Sequence, residues 1–238
     1  MIRISIGGVG SGKTLTEVKT ILEHPLKRLT YTNIKIPNCK HTVLFKPEMI
    51  LKRIKKNNKD SFTFNKEFWV NIKEPINVVI DEAHSFYESR RSMSVSNLVM
   101  NQFVASIRRI LGTSAHTKGE LVLITQLPER LDKYARELAR QIRLHICTWK
   151  VTCISCNAQL IDNSQNAEPH EICPRCRSTH IKLSDYNITM LKFKSYDDYL
   201  KYKEYGKKTY YRKAFLLHAE EYFKHYDSLQ WDDLFEDY

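Results

Sequence analysis

The glycines, lysine and threonine of GGVGSGKT, residues 7–14, have the types and spacing that bind phosphate groups, in the pattern G-x-x-x-x-G-K-[ST]. Glycines let consecutive backbone N–H groups point inward around phosphate oxygens, and the start of a following helix adds partial positive charge. A strand-like run before the loop and a helix-like run after it argue against a chance match. The predicted phosphate-binding residues are Gly7, Gly8, Val9, Gly10, Ser11, Gly12, Lys13 and Thr14.

The end of this loop predicts a nucleotide ligand together with a metal ion. Lys13 is expected to reach the β- and γ-phosphates of ATP, and the Thr14 hydroxyl is expected to bind Mg²⁺. Such a loop needs an acid at the end of a neighbouring strand to hold Mg²⁺ through water. Asp81 directly follows the apolar run INVVI and meets that need. Thr14 and Asp81 are therefore the predicted magnesium ligands.

Two further polar residues at strand ends predict hydrolysis and its control. Glu82 follows Asp81, where a carboxylate can orient and polarise the water that attacks the γ-phosphate. Gln126 ends the run LVLITQ, and we predict that it lies near the γ-phosphate, between the other two sites, and senses that phosphate. An ordinary polar strand end is the alternative for Gln126. The role of His84 is open between sensing nucleotide state and packing.

Apolar strands alternating with helices must position these residues. Strands that are apolar throughout are typical of sheets buried on both faces, so we predict a three-layer α/β domain with a mostly parallel sheet. Strands are predicted at 2–6, 29–36, 76–80, 120–126, 143–151 and 186–194, and helices at 14–24, 95–111 and 128–142. An amphipathic helix that ends in a basic loop is predicted at 48–60, and a helical, tyrosine-rich tail from residue 195.

Four cysteines in the pattern C-x2-C-x16-C-x2-C predict a closed tetrahedral Zn²⁺ site. The predicted zinc ligands are Cys153, Cys156, Cys173 and Cys176. Redox pairs or an iron–sulfur cluster are the alternatives. The segment either touches DNA or a protein partner, or is a small hairpin that stabilises the sheet edge. The nucleotide-binding residues are expected on other strands, so loss of the segment is expected to leave ATP binding largely intact.

The charge of the chain is uneven and indicates a polyanionic partner for its first part. Residues 1–150 hold 26 Lys and Arg against 13 Asp and Glu, a net charge of +13, whereas residues 151–238 carry −2. A domain of that charge attracts nucleic acid, although a solvated basic surface is the alternative. No apolar stretch approaches the ~20 residues of a membrane span, and the first residues do not have the pattern of a secretory signal. We therefore expect an intracellular protein.

A single phosphate-binding loop in 238 residues predicts an oligomeric motor. Helicases that share the letters DEAH, found here at 81–84, couple two nucleotide-binding domains in one chain, and this chain has room for one. A second subunit must then complete the site, most often in a ring of six, and supply an arginine to the γ-phosphate. Candidates in order of preference are Arg108 and Arg109, then Arg90 and Arg91, then Arg136 and Arg140. For each arginine, a solvated helix face is the alternative.

The order GGVGSGKT, VVIDEAHSF, an arginine-bearing helix, LVLITQLPERLD and RQIRLHI resembles the FtsK–HerA superfamily of ring motors over about residues 1–150. It is most similar to viral genome-packaging ATPases and to zonular-occludens-toxin-like assembly ATPases of filamentous phages. The resemblance implies a P-loop NTPase fold of the RecA/ASCE type and a DNA-translocating hexamer. It also implies that Lys13, Thr14, Asp81, Glu82 and Gln126 form the nucleotide site. The toxin-like ATPases carry a membrane span, and the cysteine segment is general to neither branch.

These patterns predict three parts: a P-loop ATPase domain at 1–150, a zinc-binding hairpin at 151–182, and a returning strand with a helical segment at 183–238. The predicted function is translocation of double-stranded DNA by a viral genome-packaging ATPase, with a capsid or portal protein as a further partner. The expected location is the host cytoplasm, transiently on capsids. A filamentous-phage-type assembly or secretion ATPase and an ATP-switched DNA-binding regulator with a zinc module are the alternatives.

Overall fold

The computed structural model of the protein describes residues 1–56, 59–72, 74–85, 95–111, 119–162 and 171–226. The strands are β1 Ile2–Ile6, β2 Thr30–Thr32, β3 Thr42–Leu44, β4 Leu51–Lys56, β5 Lys59–Phe64, β6 Asn77–Ile80, β7 Leu121–Thr125, β8 Gln141–Cys153, β9 Gln159–Asp162, β10 Ile181–Phe193 and β11 Arg212–Leu216. The α-helices are α1 Lys13–Leu22, α2 Lys66–Val70, α3 Val95–Ile110, α4 Lys133–Leu138 and α5 Tyr196–Tyr205. Short 3-10 helices lie at Pro47–Met49, Ala83–Ser85 and Ala219–His225.

Within these described ranges, a nine-stranded sheet is the middle layer, in the order β11-β10-β8-β1-β7-β6-β2-β3, with β9 beside β8. Pairing is parallel from β8 through to β3 and antiparallel where β9, β10 and β11 join. The predicted, mostly parallel α/β sheet is confirmed. Strand β7 lies between β1 and β6, so the carboxyl ends of these three strands meet at one edge.

Helices cover both faces of this sheet, as the continuous apolar strands require. On one face, the isoleucines of β1 pack in a cluster with Phe103 and Ile107 of α3 and with Trp69 of α2. On the other face, Val18 of α1 packs against Val79 and Val122. Alternate residues of β6 and β7 thus enter opposite clusters, and the result is three layers around one sheet.

A buried ion network joins β1 to α1 directly below the phosphate-binding loop. Arg3 and Glu17 are 2% and 1% exposed, and Nη2 of Arg3 lies 2.8 Å from Oε2 of Glu17. Ser5 donates a hydrogen bond to Glu17, and Glu120 adds a second carboxylate 3.0 Å from Arg3. Burial raises the pKa of Glu17, and the charge of Arg3 opposes that shift. The network fixes the start of α1 relative to the strand before it.

Two sequence predictions were wrong in detail. Strands β4 and β5, at 51–56 and 59–64, pair antiparallel with Lys56 opposite Lys59, where an amphipathic helix was predicted. Leu51 and Ile54 are spaced like one face of a helix, but the chain between them pairs with β5, which packs on α3 through Phe64 and Phe103. In the tail, α5 is helical as predicted, whereas β11 pairs with β10 as an added edge strand. Within the described ranges, the helices are too short or too polar to cross a membrane.

Candidate nucleotide-binding site

The loop between β1 and α1 requires glycine at two of its positions for steric reasons. At Gly7, an added Cβ would lie 2.3 Å from the Ser11 hydroxyl oxygen and 2.8 Å from the carbonyl oxygen of His145. At Gly12, φ is +80°, a conformation that side chains other than glycine rarely adopt, and an added Cβ would lie 2.2 Å from Ile188. The glycine pattern is therefore imposed by a tightly wrapped loop.

Lys13 is held inside this loop by its own backbone. The Nζ of Lys13 donates to the carbonyl oxygens of Gly7 at 2.9 Å and Gly8 at 2.8 Å. Burial lowers the pKa of Lys13, and the nearby carboxylates of Glu82 and Asp81 oppose that shift. The ammonium thus lies at the concave side of the loop, close to both acids, where a phosphate charge would be neutralised.

The two predicted magnesium ligands are in contact. The Thr14 hydroxyl donates to Oδ2 of Asp81 at 2.7 Å, although 67 residues separate them in sequence. Asn33 aligns Asp81: its Oδ1 accepts the Asp81 backbone N–H at 2.8 Å, and its Nδ2 donates to the Asp81 carbonyl at 3.2 Å. A hydroxyl and a carboxylate are oxygen ligands of the kind that Mg²⁺ takes beside phosphates. Asn33 directly follows β2, and sequence analysis missed it, although the strand-end rule that found Gln126 applies equally there.

The site is expected to lose affinity for Mg²⁺–nucleotide in acid. Burial, the largest cause, raises the pKa of Asp81 from 3.8 to about 6, with Thr14 opposing and Glu82 adding to the shift. Above that pKa the carboxylate is charged and can hold Mg²⁺; below it, protonation removes the ligand, and affinity should fall by up to about tenfold per pH unit. Equilibrium titration between pH 5 and pH 8 measures this.

The matched control for this pH dependence is Asp81→Asn, because the terminal phosphate of the nucleotide titrates in the same range. The difference between wild type and variant isolates Asp81, and parallel pH profiles would contradict the assignment.

The raised pKa of Asp81 also makes the free energy of unfolding depend on pH. Between the unfolded pKa of 3.8 and the folded pKa of about 6, the native state binds the proton more tightly. The contribution of Asp81 to the free energy of unfolding therefore falls as pH rises through that window.

Glu82 is oriented by a strained backbone and by two polar neighbours. Its φ is +46°, which is uncommon for a residue other than glycine. Strained backbone conformations of this kind are concentrated at functional sites. Nε2 of Gln126 donates to Oε1 of Glu82 at 2.7 Å, and Nδ1 of His84 lies 3.3 Å from Oε2. His84 also contacts the Thr125 hydroxyl at 3.1 Å. The structure therefore brings together Glu82 and Gln126, the two residues for which water activation and phosphate sensing are predicted.

Of the six predicted arginines, the structure describes the side chains of Arg136 and Arg140, and both lie away from this site. The backbone of Arg108 and Arg109 lies in α3, and their side chains lie outside the described part of the structure, as do Arg90 and Arg91 altogether. Arg136 lies over the Tyr196 ring at 5.1 Å, and Arg140 is exposed. Supply of an arginine by a second subunit stays a prediction.

The four paired cysteines lie together at the far end of β8, with the geometry of two equivalent turns. Backbone N–H groups of Asn157 and Arg177, both at left-handed φ, donate to the carbonyls of Cys153 and Cys173 at 2.8 and 2.7 Å. The closest sulfurs are 3.5 Å and 3.6 Å apart, and all four lie within 4.8 Å of one another. Tetrahedral ligands at a zinc–sulfur distance of about 2.3 Å would be about 3.8 Å apart. The cluster therefore has the donor set and spacing for one metal ion.

The surroundings of the cluster act differently on its thiols: the pKa of Cys173 is lowered, whereas that of Cys176 is raised to about 12. At Cys176, a hydrogen bond from the Ser178 backbone N–H lowers the pKa, but burial and the neighbouring cysteines together outweigh it. A hydrogen bond from the backbone N–H of Cys176, the largest cause, lowers the pKa of the Cys173 thiol. Thiolates are the form in which cysteine binds a metal. Of the remaining two cysteines, Cys147 is buried and Cys39 half-buried, and both lie outside this cluster.

The sheet order, the phosphate-binding loop after β1 and the acidic pair after β6 place the chain among P-loop NTPase folds. A family model, zonular occludens toxin (Zot), matches residues 1–150, which is more than half of the chain. The protein therefore belongs to the Zot family.

The solved structures that are similar to this chain include a toxin domain and a genome packaging NTPase, whereas no curated protein matches it. The N-terminal domain of zonular occludens toxin from Neisseria meningitidis is 18% identical, covers 95% of this chain and 98% of its own, and has a TM-score of 0.47. The genome packaging NTPase B204 from Sulfolobus turreted icosahedral virus 2, solved in complex with sulfate, is 14% identical, covers 71% and 98%, and has a TM-score of 0.36.

Proposed function

We propose that the protein is a Mg²⁺-dependent ATPase that moves double-stranded DNA, as a viral genome-packaging motor in a ring of six subunits. One observation carries the ATPase assignment: five polar residues predicted for the site converge at the ends of three adjacent strands. They are Lys13, Thr14, Asp81, Glu82 and Gln126. Lys13 suits the phosphates, and the Thr14 hydroxyl and Asp81 suit the metal. Nucleotide binding does not need a second acid, so Glu82 indicates hydrolysis.

The geometry supports a division of roles in the reaction. Lys13 would neutralise the β- and γ-phosphates, while Thr14 and Asp81 would hold a Mg²⁺ ion, which supplies further positive charge beside them. Glu82 polarises water for attack on the γ-phosphorus, and Gln126, hydrogen bonded to Glu82, relays the presence of the γ-phosphate to that carboxylate. Arg108 and Arg109 are the first candidates for the arginine that a neighbouring subunit supplies.

The net charge of +13 on residues 1–150 supports DNA as the polyanion on which the motor acts. The cysteine cluster supports a structural Zn²⁺ bound by Cys153, Cys156, Cys173 and Cys176, which would stabilise a segment that contacts DNA, a capsid or a portal protein. The proposed setting is the host cytoplasm, with transient attachment to capsids.

A second candidate function is a filamentous-phage-type assembly or secretion ATPase. Membership of the Zot family favours it, because the resemblance in sequence also extends to assembly ATPases of that kind. Both functions use the same ATP hydrolysis, but a packaging motor moves DNA and an assembly ATPase extrudes a particle. Stimulation of ATP turnover by duplex DNA would indicate the packaging motor. Dependence on a membrane-bound assembly partner would indicate the assembly ATPase.

Steady-state ATP turnover with and without double-stranded DNA, together with the mass in solution by light scattering, tests the proposal. Duplex DNA should raise turnover of a ring-sized particle, and Lys13→Ala should abolish it. DNA affinity should fall by about tenfold or more between about 50 and 200 mM salt, because phosphate contacts release counterions. Turnover indifferent to DNA, or an affinity that does not change with salt, would contradict the DNA motor.

A further inference from the structure

The strand that leaves the cysteine cluster also contacts the phosphate-binding loop. Strand β10 starts at Ile181, opposite Cys153 on β8, and runs antiparallel to β8 for its whole length. In the middle of β10, the Tyr186 hydroxyl donates a 2.6 Å hydrogen bond to the carbonyl oxygen of Gly10, 176 residues away in sequence. Tyr186 is 2% exposed. The nucleotide loop follows β1 and so lies on another strand than the cysteine cluster, as expected from sequence, but Tyr186 joins this loop to the strand that leaves the cluster.

A second side chain of β10 reinforces this contact. Ile188 occupies the space that a side chain at Gly12 would fill, with its Cδ1 2.2 Å from the position of an added Cβ. A loop that cradles phosphate turns N–H groups inward. Here the carbonyl of Gly10 points outward to Tyr186, whereas those of Gly7 and Gly8 face Lys13. Holding the outward carbonyl of Gly10 fixes the orientation of the peptide that follows it. Tyr186 and Ile188 therefore brace the two loop glycines whose φ is positive, Gly10 and Gly12.

Tyr186 is itself held from three sides. Its ring lies 4.2 Å from the Trp149 ring and 5.4 Å from the Phe223 ring, measured between centroids. Its backbone N–H donates to Oε2 of Glu220 at 3.0 Å. Trp149 pairs with Tyr186 across β8 and β10, four residues before Cys153. The position of the Tyr186 hydroxyl consequently depends on the register of β10 against β8.

That register is not uniform between the cysteines and Tyr186. Pairing shifts between Leu183 and Asp185, so the part of β10 at the cysteine cluster and the part at the loop are joined through an irregular step. Ile181 at the near end pairs with a cluster cysteine, which ties the start of the strand to the cluster. A loosened cluster would allow this end of β10 to slip, and Tyr186 lies five residues further along the same strand.

We propose that Tyr186 is a positioning residue for the phosphate-binding loop, through which β10 couples the cysteine cluster to nucleotide binding. The proposal rests on the proposed nucleotide-binding function and goes beyond it, because it makes nucleotide affinity depend on the integrity of the cysteine segment. Tyr186 contacts the loop from outside and does not touch the reacting phosphates. Its loss should weaken binding without slowing the chemical step.

Tyr186→Phe tests the first half of the proposal, because it removes the hydroxyl and keeps the stacked ring. The dissociation constant for a fluorescent methylanthraniloyl-ATP with Mg²⁺, and KM for ATP, should each rise about 2- to 12-fold, as expected for loss of one hydrogen bond. The kcat should stay within about twofold. Tyr199→Phe is the matched control: Tyr199 is 5% exposed and packs on Phe193, on the other face of the sheet.

The control separates positioning from general stability. Both tyrosine variants are expected to unfold at similar temperatures, and Tyr199→Phe should bind nucleotide like wild type. An unchanged dissociation constant for Tyr186→Phe, or a fall in kcat without a change in KM, would overturn the positioning role. A wild-type protein that binds no Mg²⁺–nucleotide would contradict the proposed function itself, so the two failures are distinguishable.

A double-mutant cycle tests the coupling. Cys156→Ser should raise the nucleotide dissociation constant in the wild-type background, since the cluster no longer fixes the start of β10. In the Tyr186→Phe background, the same substitution should have little further effect, because the hydroxyl that transmits the change is gone. Equal effects in the two backgrounds, or no effect of Cys156→Ser in either, would overturn the coupling.

Discussion

Replacing Glu82 by Gln is expected to slow ATP hydrolysis by ~10²-fold or more while Mg²⁺–ATP binding is retained. The substitution keeps the size of the side chain and an oxygen that can still accept the hydrogen bond from Gln126. It removes the charge that polarises the attacking water. Lys13, Thr14 and Asp81 are untouched, so the phosphates and the metal keep their ligands.

Single-turnover hydrolysis and equilibrium nucleotide binding, measured side by side, check this expectation. The matched control is Glu137→Gln, which makes the same chemical change on α4, where Glu137 is exposed and 3.5 Å from Lys133. That control should hydrolyse ATP like wild type. A wild-type rate for Glu82→Gln would show that another group activates the water. A loss of binding equal to the loss of rate would instead make Glu82 a ligand of the ground state.

Local motifs made the nucleotide loop and its acids predictable from sequence. The loop sequence fixes its own conformation through Gly7 and Gly12, so residue types and spacing suffice. Asp81, Glu82 and Gln126 follow short apolar runs that are typical of buried strands, and parallel strands in one sheet end at one edge. Chain direction and burial therefore place these three side chains near the loop without any knowledge of side-chain contacts.

The residues that were missed make contacts that no local pattern encodes. Tyr186 reaches Gly10 only because β10 returns along β8. In the sequence, Tyr186 stands at the start of a tyrosine-rich region, and such aromatic residues also fit ordinary core packing. Arg3 sits inside an apolar strand and pairs through its Nη2 with Glu17 and Glu120, whose positions depend on how α1 and β7 pack. In both cases the partner is set by the tertiary fold, and residue type alone does not identify it.

The paired strands β4 and β5 show the converse, a local pattern that is compatible with two structures. Leu51 and Ile54 are three residues apart, as on a helix face, and this spacing supported the helix prediction. The residue types Asn57 and Asn58, which favour tight hairpin turns, were the contrary signal. Pairing of Leu51 with Phe64, and the packing of Phe64 on Phe103, decide in favour of the strand.

The purified protein is expected to carry one Zn²⁺ per chain, bound by the four clustered cysteines. Two turns of equal geometry present four sulfurs within 4.8 Å, and the hydroxyl oxygens of Ser155 and Ser178 lie 2.7 Å apart between them. The 16 residues from Asn157 to Ile172 include few apolar side chains, so the segment has little core of its own. Metal–thiolate bonds must then supply its stability, and structural zinc can contribute ~10 kcal/mol or more to a small fold.

Metal analysis of protein never exposed to a chelator, covering both zinc and iron, tests this expectation directly. Cys156→Ser should remove the zinc and expose residues of the segment to limited proteolysis, because three thiolates hold Zn²⁺ less tightly than four. Cys39→Ser is the matched control, since Cys39 lies outside the cluster and contacts His41 instead. It should keep one Zn²⁺ per chain. A zinc content near zero in the wild-type protein would show that the cluster holds no zinc, and iron together with acid-labile sulfide in its place would identify an iron–sulfur site.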